Sequence, residues 1–291
     1  MSMRAWSDHA KGLALGLSGI LVLTPDSLLV RLIVADQWTL LFWRGLLTFI
    51  CMSAFVGVRD GWALPARFVA LGPAKGFAAV LFAATTVLFV TSIRHTAVAN
   101  TLVILSAAPI FAAVLSSLFL REHAPPRTWA AAVAGLGCIV HIVGGSLDGA
   151  SLVGDGAAVL LSLSLAAYLV ILRHARAEDV FVVVAASGLI NALVALPFVP
   201  TLALSANDWI AMGILGCVVL PVSYALLGAA PKYLPAPEVG LVYLLETVLG
   251  PYWVWLVLDE APPERTLAGG AALIIVVALH AAAGTRRRPA A

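Results

Sequence analysis

The sequence predicts an all-α integral membrane protein with ten transmembrane helices. Only 11% of its 291 residues are charged, and its mean hydropathy is +1.03. A soluble domain carries roughly 25% charged residues because its surface faces water. Long runs of Leu, Ala, Val and Ile recur along the chain without the alternating pattern of barrel strands. These observations exclude a soluble domain and favour a bundle of membrane-spanning helices.

The N-terminal half, residues 1–146, supplies the first five predicted spans. The first apolar run follows "MSMRAWSDHAK" and is too long for a signal peptide, and no A-x-A-like cleavage site follows it promptly. Pro25 and Pro109 lie inside spans, where proline is expected to bend a helix. The five spans, with soft boundaries, are 12–33, 37–58, 76–93, 97–120 and 128–146.

The C-terminal half, residues 147–291, supplies the other five. The glycine-rich stretch "GGSLDGASLVGDG" (144–156) lacks the Lys-Ser/Thr of a phosphate-binding loop and is interpreted as a linker. Pro221 and Pro251 are further expected bends. The spans are 152–172, 179–200, 207–230, 236–258 and 266–284.

The distribution of basic residues predicts that both termini are cytoplasmic. Cytoplasmic loops accumulate Lys and Arg. With the N-terminus inside, 13 of the 17 basic residues fall on the cytoplasmic side, and Arg44 lies within a span. The other side receives only Arg31, Arg94 and Arg265.

A charged, proline-rich phrase occurs twice and indicates an inverted duplication. "REHAPPRT" (121–128) joins spans four and five, and "DEAPPERT" (259–266) joins spans nine and ten. Five spans separate the copies, and five is odd, so the second copy lies on the opposite face of the membrane. Inverted-topology repeats of this kind form many secondary transporters. The expected architecture is therefore two inverted five-helix repeats.

The chain resembles the EamA-type repeat of the drug/metabolite transporter superfamily. In residues 99–145 the resemblance includes a mid-helix Pro109, a small and aliphatic run, Glu122 and a glycine-bearing helix. In residues 240–270 Glu260 matches Glu122. Glu246 stands where the family often has Glu-Pro, but Thr247 replaces the proline. Arg44 in "LLFWRGLLTF" falls where the family commonly has an arginine.

The resemblance implies a secondary transporter in a bacterial cytoplasmic (inner) membrane. Its partners are then the lipid bilayer and a small-molecule substrate that moves through a central cavity by alternating access. An exporter of amino acids, aromatic or large neutral, is the leading expectation. A multidrug, nucleotide or sugar carrier of the same superfamily is the alternative.

Ionisable residues at membrane depth are costly and are therefore candidate site residues. Asp26 follows Pro25 directly, and it is interpreted either as a wet substrate-binding carboxylate or as an ion-pair partner of Arg44. Glu246 has Tyr243 on the same helical face, so the pair is suited to a substrate ammonium group. A buried, protonated Glu246 remains the other interpretation. Arg44 is expected to be mainly structural, and binding of a substrate carboxylate is its alternative role.

Aromatic and hydroxyl side chains on other spans are candidates for the lining of the same cavity. A ring-lined cavity with a few hydroxyls suits an amphipathic substrate, although such stripes also occur in ordinary packing. The candidates are Phe82, Thr86 and Phe89 on span three, Ser164 and Tyr168 on span six, and Tyr224 on span eight.

An intramembrane enzyme or a lipid scramblase is the least favoured class. The sequence has no P-loop, no H-E-x-x-H motif and no cluster with metal-ligand spacing, so neither metal nor cofactor is expected. His141 and His280 are isolated in apolar runs. The three arginines at 286–288 are interpreted as a membrane-surface anchor, and nucleic acid is not an expected partner.

Overall fold

The computed structural model describes residues 8–61, 64–119, 126–144, 149–174, 180–230, 233 and 236–285. Residues 121–125 of the phrase "REHAPPRT", which include Glu122, lie outside the described residues. The three arginines at 286–288 also lie outside them. In the N-terminal half the helices are α1 Asp8–Leu23, α2 Asp26–Leu32, α3 Gln37–Asp60, α4 Leu64–Val69, α5 Gly72–His95, α6 Val98–Leu105, α7 Ala108–Phe119 and α8 Pro126–Val143. In the C-terminal half they are α9 Gly149–His174, α10 Val180–Ala195, α11 Ala206–Gly213, α12 Leu220–Ala229, α13 Ala236–Leu258 and α14 Glu264–Thr285.

The described residues contain seven helical segments that are long and apolar enough to cross a membrane. They are Ala10–Leu32, Gln37–Arg59, Gly72–His95, Val98–Phe119, Ser151–Leu172, Val180–Phe198 and Ala206–Ala229. Two shorter apolar helices are Trp129–Val143 and Leu245–Leu258. The chain is therefore a multi-pass membrane protein, and each predicted span overlaps one or two of its helices.

Two spans are interrupted beside a proline. In each, one backbone carbonyl loses its helical N–H donor, and a side-chain hydroxyl donates to it instead. Proline has no N–H to bond the carbonyl four residues earlier. Before Pro25, the Thr24 hydroxyl donates to the Leu21 carbonyl at 3.0 Å. Before Pro109, the Ser162 hydroxyl of α9 donates to the Leu105 carbonyl at 3.4 Å. The interruptions are thus stabilised inside an apolar bundle, where an unpaired carbonyl is costly.

The other two prolines behave differently. Pro221 is the second residue of α12 and directly follows a π-helical segment, Ile214–Val219, within the eighth predicted span. Pro251 lies inside α13, which continues past it to Leu258. Span eight therefore contains a π-helical interruption, and span seven ends in a 3-10 turn at Leu196–Phe198.

The glycine-rich stretch interpreted as a linker is a helix from Gly149 onwards, which corrects that prediction. It forms the start of α9. A Cβ on Gly154 would lie 2.6 Å from the Cβ of Thr96, so glycine is needed for the close approach of α9 to the end of α5. Gly154 therefore serves packing between helices.

The helices pair across the two halves of the chain. The main pairs are α3 with α10, α8 with α14, α5 with α9, α1 with α12, α6 and α7 with α9, and α13 with α1 and α6. The backbones of α3 and α10 approach each other closely, and a Cβ on Gly45 would lie 2.6 Å from the Gly188 carbonyl oxygen. The two backbones are therefore in direct contact at this crossing.

Candidate functional site

A buried ion pair lies at the centre of the bundle. Asp26 is the first residue of α2, directly after the interruption at Pro25, and Arg44 lies about two turns into α3. The Arg44 Nη1 and Nη2 atoms donate to Asp26 Oδ1 and Oδ2 at 2.5 and 2.8 Å. Both side chains are almost fully buried. Two parallel hydrogen bonds to one carboxylate satisfy charges that would be costly alone in an apolar interior.

Aromatic rings from three further helices surround this pair. The Arg44 guanidinium lies 5.6 Å from the centre of the Phe89 ring. Phe82 stacks on Tyr168 with ring centres 4.8 Å apart, and its ring meets Tyr224 edge-on at 5.6 Å. These contacts join α5, α9 and α12, which the sequence separates by more than fifty residues at each step.

Helix α13 brings Glu246 and Tyr243 to the same region. Glu246 is half-buried and close enough to Asp26 and Arg44 to interact with them electrostatically. Tyr243 interacts in the same way with Glu246 and Tyr224. Its side chain is 40% exposed. The central cluster is therefore Asp26, Arg44, Phe82, Phe89, Tyr168, Tyr224, Tyr243 and Glu246.

The two hydroxyl candidates lie at the edge of the central cluster. Thr86 is half-buried, and its hydroxyl donates to the Phe82 carbonyl at 3.4 Å. Ser164 is half-buried one turn before Tyr168, on the same face of α9. Among the described residues, no hydrogen bond links Ser164 to the cluster.

A small pocket opens beside Arg44 and contains residues that the sequence reasoning missed. It is lined by Arg44, Thr48, Thr86, Ser187, Asn191 and Tyr224, together with four further residues. We call it the side pocket. Its volume is about 10 Å³, close to the minimum for one water-sized group. Ser187 and Asn191 are polar residues within the apolar helix α10. This polarity at membrane depth could have identified them as candidate site residues.

A second polar site joins the end of helix α2 to two helix–helix connections at one end of the bundle. The Arg31 Nε and Nη2 atoms donate to Glu260 Oε2 and Oε1 at 3.0 and 3.1 Å. Arg31 also donates to the carbonyls of Ile93 and Thr96, and Glu260 accepts from the backbone N–H of Val98 at 3.2 Å. We call this arrangement the Arg31–Glu260 latch. It connects the end of α2 with the α5–α6 and α13–α14 connections.

A buried polar network lies next to the latch. The Thr96 hydroxyl donates to Asp155 Oδ1 at 2.7 Å, and the Asn100 amide donates to the same oxygen at 3.1 Å. The Thr266 hydroxyl donates to the Asn100 carbonyl oxygen. The buried network of Thr96, Asn100, Asp155 and Thr266 joins α6, α9 and α14 to the latch and closes this end of the bundle.

Comparisons with known proteins agree with a transporter architecture. A solved structure described only as "Crystal structure of protein" superposes with a TM-score of 0.64, covering 96% of this chain and 100% of that chain. The two sequences are 20% identical, so this likeness concerns the fold alone. No match was found among curated proteins. A family model, the EamA-like transporter family, matches residues 11–144. Residues 11–144 are therefore similar to the EamA-like transporter family.

Proposed function

We propose that the protein is a secondary transporter that exports aromatic or large neutral amino acids, or similar small metabolites, by alternating access. The observation that carries the proposal is the central cluster, where charges and rings from α2, α3, α5, α9, α12 and α13 converge inside an apolar bundle. Ionisable residues at membrane depth typically mark a substrate path. The EamA-like domain at residues 11–144 supports the same class.

We propose that ten spans form two inverted five-helix repeats, residues 1–146 and 147–291. The pairing of helices supports this division. If each span is matched with the one five places later, the pairs α3–α10 and α8–α14 map onto themselves, and α1–α12 maps onto α5–α9. A pseudo-two-fold axis produces such a pattern, and such repeats give a transporter two equivalent states.

The proposed orientation places both termini in the cytoplasm of a bacterial cell. The basic residues support it because Arg31, Arg94 and Arg265 alone fall on the other side. In this orientation the Arg31–Glu260 latch closes the outer end of the bundle.

An aromatic amino acid has the groups that this cluster is suited to bind. Its ring would pack against Phe82, Tyr168 and Tyr224, where aromatic pairs gain roughly 0.5–1.5 kcal/mol beyond burial. Its ammonium group would bind Glu246, since Asp26 is already paired with Arg44. A carboxylate beside tyrosine rings is a typical site for an organic cation.

The formal charges favour one alternative, an amphipathic cation of the kind that multidrug carriers export. With Glu246 ionised, the central cluster would contain two carboxylates and one guanidinium, so a monocation would balance it better than a zwitterion. Nucleotides and sugar phosphates are disfavoured by the same reasoning, because the Arg44 guanidinium is held by Asp26. Labelled amino acids and labelled organic cations should therefore be compared directly.

The test is counterflow into proteoliposomes with labelled tyrosine, phenylalanine, leucine and a quaternary aromatic amine. We expect uptake of the aromatic amino acids, and loss of at least about tenfold in kcat/KM for Glu246→Gln if one charged hydrogen bond is removed. Glu264→Gln, an exposed carboxylate at the start of α14, is the matched control. Uptake of the amine alone would replace the amino-acid proposal with the alternative. No uptake of any probe by folded protein would reject both.

A further inference from the structure

The side pocket contains a buried polar group without a partner in the protein. Asn191 is 3% exposed, and its Oδ1 atom accepts no hydrogen bond. Leaving a buried acceptor unpaired is unfavourable, by about the strength of a net hydrogen bond or more. Because Asn191 lines the pocket, a donor group that enters the pocket and reaches this atom would relieve the cost.

The backbone holds Asn191 rigidly in this position. A Cβ on Gly45 would lie 2.8 Å from the Asn191 Cβ, so α3 and α10 are packed against each other at this residue. The neighbouring Ser187 hydroxyl already donates to the Val184 carbonyl at 2.7 Å and can still accept. The Cβ of Asn191 is therefore fixed against α3 beside the pocket.

The charge of the side pocket indicates what kind of group it accepts. Arg44 is its charged residue, and both terminal nitrogens of Arg44 donate to Asp26. A carboxylate or phosphate entering here would add an anion near Asp26 and Glu246, with one guanidinium to share. An uncharged group that both donates and accepts, such as a hydroxyl, matches the Asn191 amide and the Thr48 hydroxyl without this repulsion.

The size and position of the pocket are consistent with one end of a larger molecule. About 10 Å³ admits a hydroxyl-sized group and excludes a whole substrate. Phe82 and Tyr224 line the pocket and also belong to the central cluster, so the pocket is continuous with the rings proposed to bind substrate. A ring packed on Phe82 and Tyr224 would therefore lie next to the pocket that Asn191 lines.

We propose that the side pocket is a specificity subsite for an uncharged hydroxyl group on a ring-bearing substrate, and that Asn191 is its principal recognition residue. The proposal deepens the proposed function, on which it rests for the ring-binding site. A site that hydrogen-bonds a substrate hydroxyl discriminates against the analogue without it, because the polar groups of the site are then left unpaired.

Two substrate pairs test the proposal, tyrosine with phenylalanine and tyramine with phenethylamine. KM is measured for each by uptake into proteoliposomes, with wild type, Asn191→Leu and Thr48→Val. We expect the wild type to prefer the hydroxylated member by about tenfold, the effect of one hydrogen bond. Asn191→Leu should bring the ratio close to one by raising KM for the hydroxylated member alone. Thr48→Val should also reduce the preference for the hydroxylated member. This variant tests the proposal if Asn191→Leu does not fold.

The control is Asn207→Leu, the same substitution at an exposed position at the start of α11, which should leave the ratio unchanged. A wild type without preference, or variants that weaken both members equally, would overturn the subsite while leaving the proposed function intact. Transport of the amines alone would reject the amino-acid substrate, and the ratio for the amine pair would then decide the subsite. Transport of neither pair would reject both proposals.

Discussion

Arg31 and Glu260 lie 229 residues apart in the chain, yet they form a bidentate ion pair at one end of the bundle. Each also binds backbone groups of the α5–α6 connection, Arg31 through the Thr96 carbonyl and Glu260 through the Val98 N–H. One salt bridge thus joins the ends of three spans. A partly exposed pair of this kind is weak enough to break and re-form during a transport cycle.

Glu260→Gln should open the latched end more often. The amide keeps the size of the carboxylate and loses its charge, so we expect a roughly two- to fivefold rise in opening, as for a partly exposed ion pair. The measurement is the rate at which a small maleimide modifies Leu102→Cys in a background without native cysteines. Leu102 is 1% exposed, one turn below Val98. Arg265→Gln, which loses a hydrogen bond to the Gly144 carbonyl elsewhere, should leave the rate unchanged.

Breaking the central ion pair on one side should destabilise the protein strongly. Asp26→Leu leaves the Arg44 guanidinium buried and unpaired, and we expect a loss of roughly 3–5 kcal/mol in the free energy of unfolding. The double variant Asp26→Leu/Arg44→Leu should recover most of that loss because no charge remains buried. Chemical denaturation in detergent micelles would measure both. A double variant as unstable as the single one would show that the pair is not the cause.

Removing Asn100 should cost about 1–3 kcal/mol, because Asp155 and Thr266 would each lose a buried partner. Asn100→Leu is the test, with thermal unfolding as the measurement. The control is Thr85→Val, whose hydroxyl donates only within its own helix, to the Phe82 carbonyl. That variant should change the free energy of unfolding by less than about 0.5 kcal/mol. Equal effects of the two substitutions would argue against a structural role for the network.

Gly45→Ala should destabilise the protein by roughly 1–3 kcal/mol, the usual cost of overpacking. The new methyl group would lie 2.6 Å from the Gly188 carbonyl oxygen, and backbone cannot yield as a side chain does. Gly76→Ala, where nothing lies within 4 Å, should instead be neutral or slightly stabilising. Retention of full stability by Gly45→Ala would contradict the contact between α3 and α10.

The sequence was sufficient to predict the helical segments and most residues of the central cluster. Charged and aromatic residues at membrane depth are few, so Asp26, Arg44 and Glu246 could be selected as candidates. Composition could not show that Asp26 binds Arg44 with both oxygens, because that contact depends on how α2 packs against α3. The site roles of these residues remain predictions.

The remaining contacts depend on long-range packing. Asp155 lies in a glycine-rich stretch that is typical of a linker, and only the approach of Thr96 shows that these glycines pack against a helix. Glu260 was noticed as part of a repeated phrase, but nothing in that phrase identifies Arg31 as its partner. Asn100 and Asn191 carried a signal, as polar residues within apolar runs, that sequence reasoning did not use.

The contact between Gly45 and Gly188 is a fixed pivot point between α3 and α10. With backbone against backbone, no side chain at this crossing can compress, so α3 and α10 can rotate about the point but cannot come closer together. If the two helices rock about this point so that they separate at the Arg31–Glu260 end, they approach each other at the opposite end. Opening of one end of the bundle would then be coupled to closing of the other end, even without substrate.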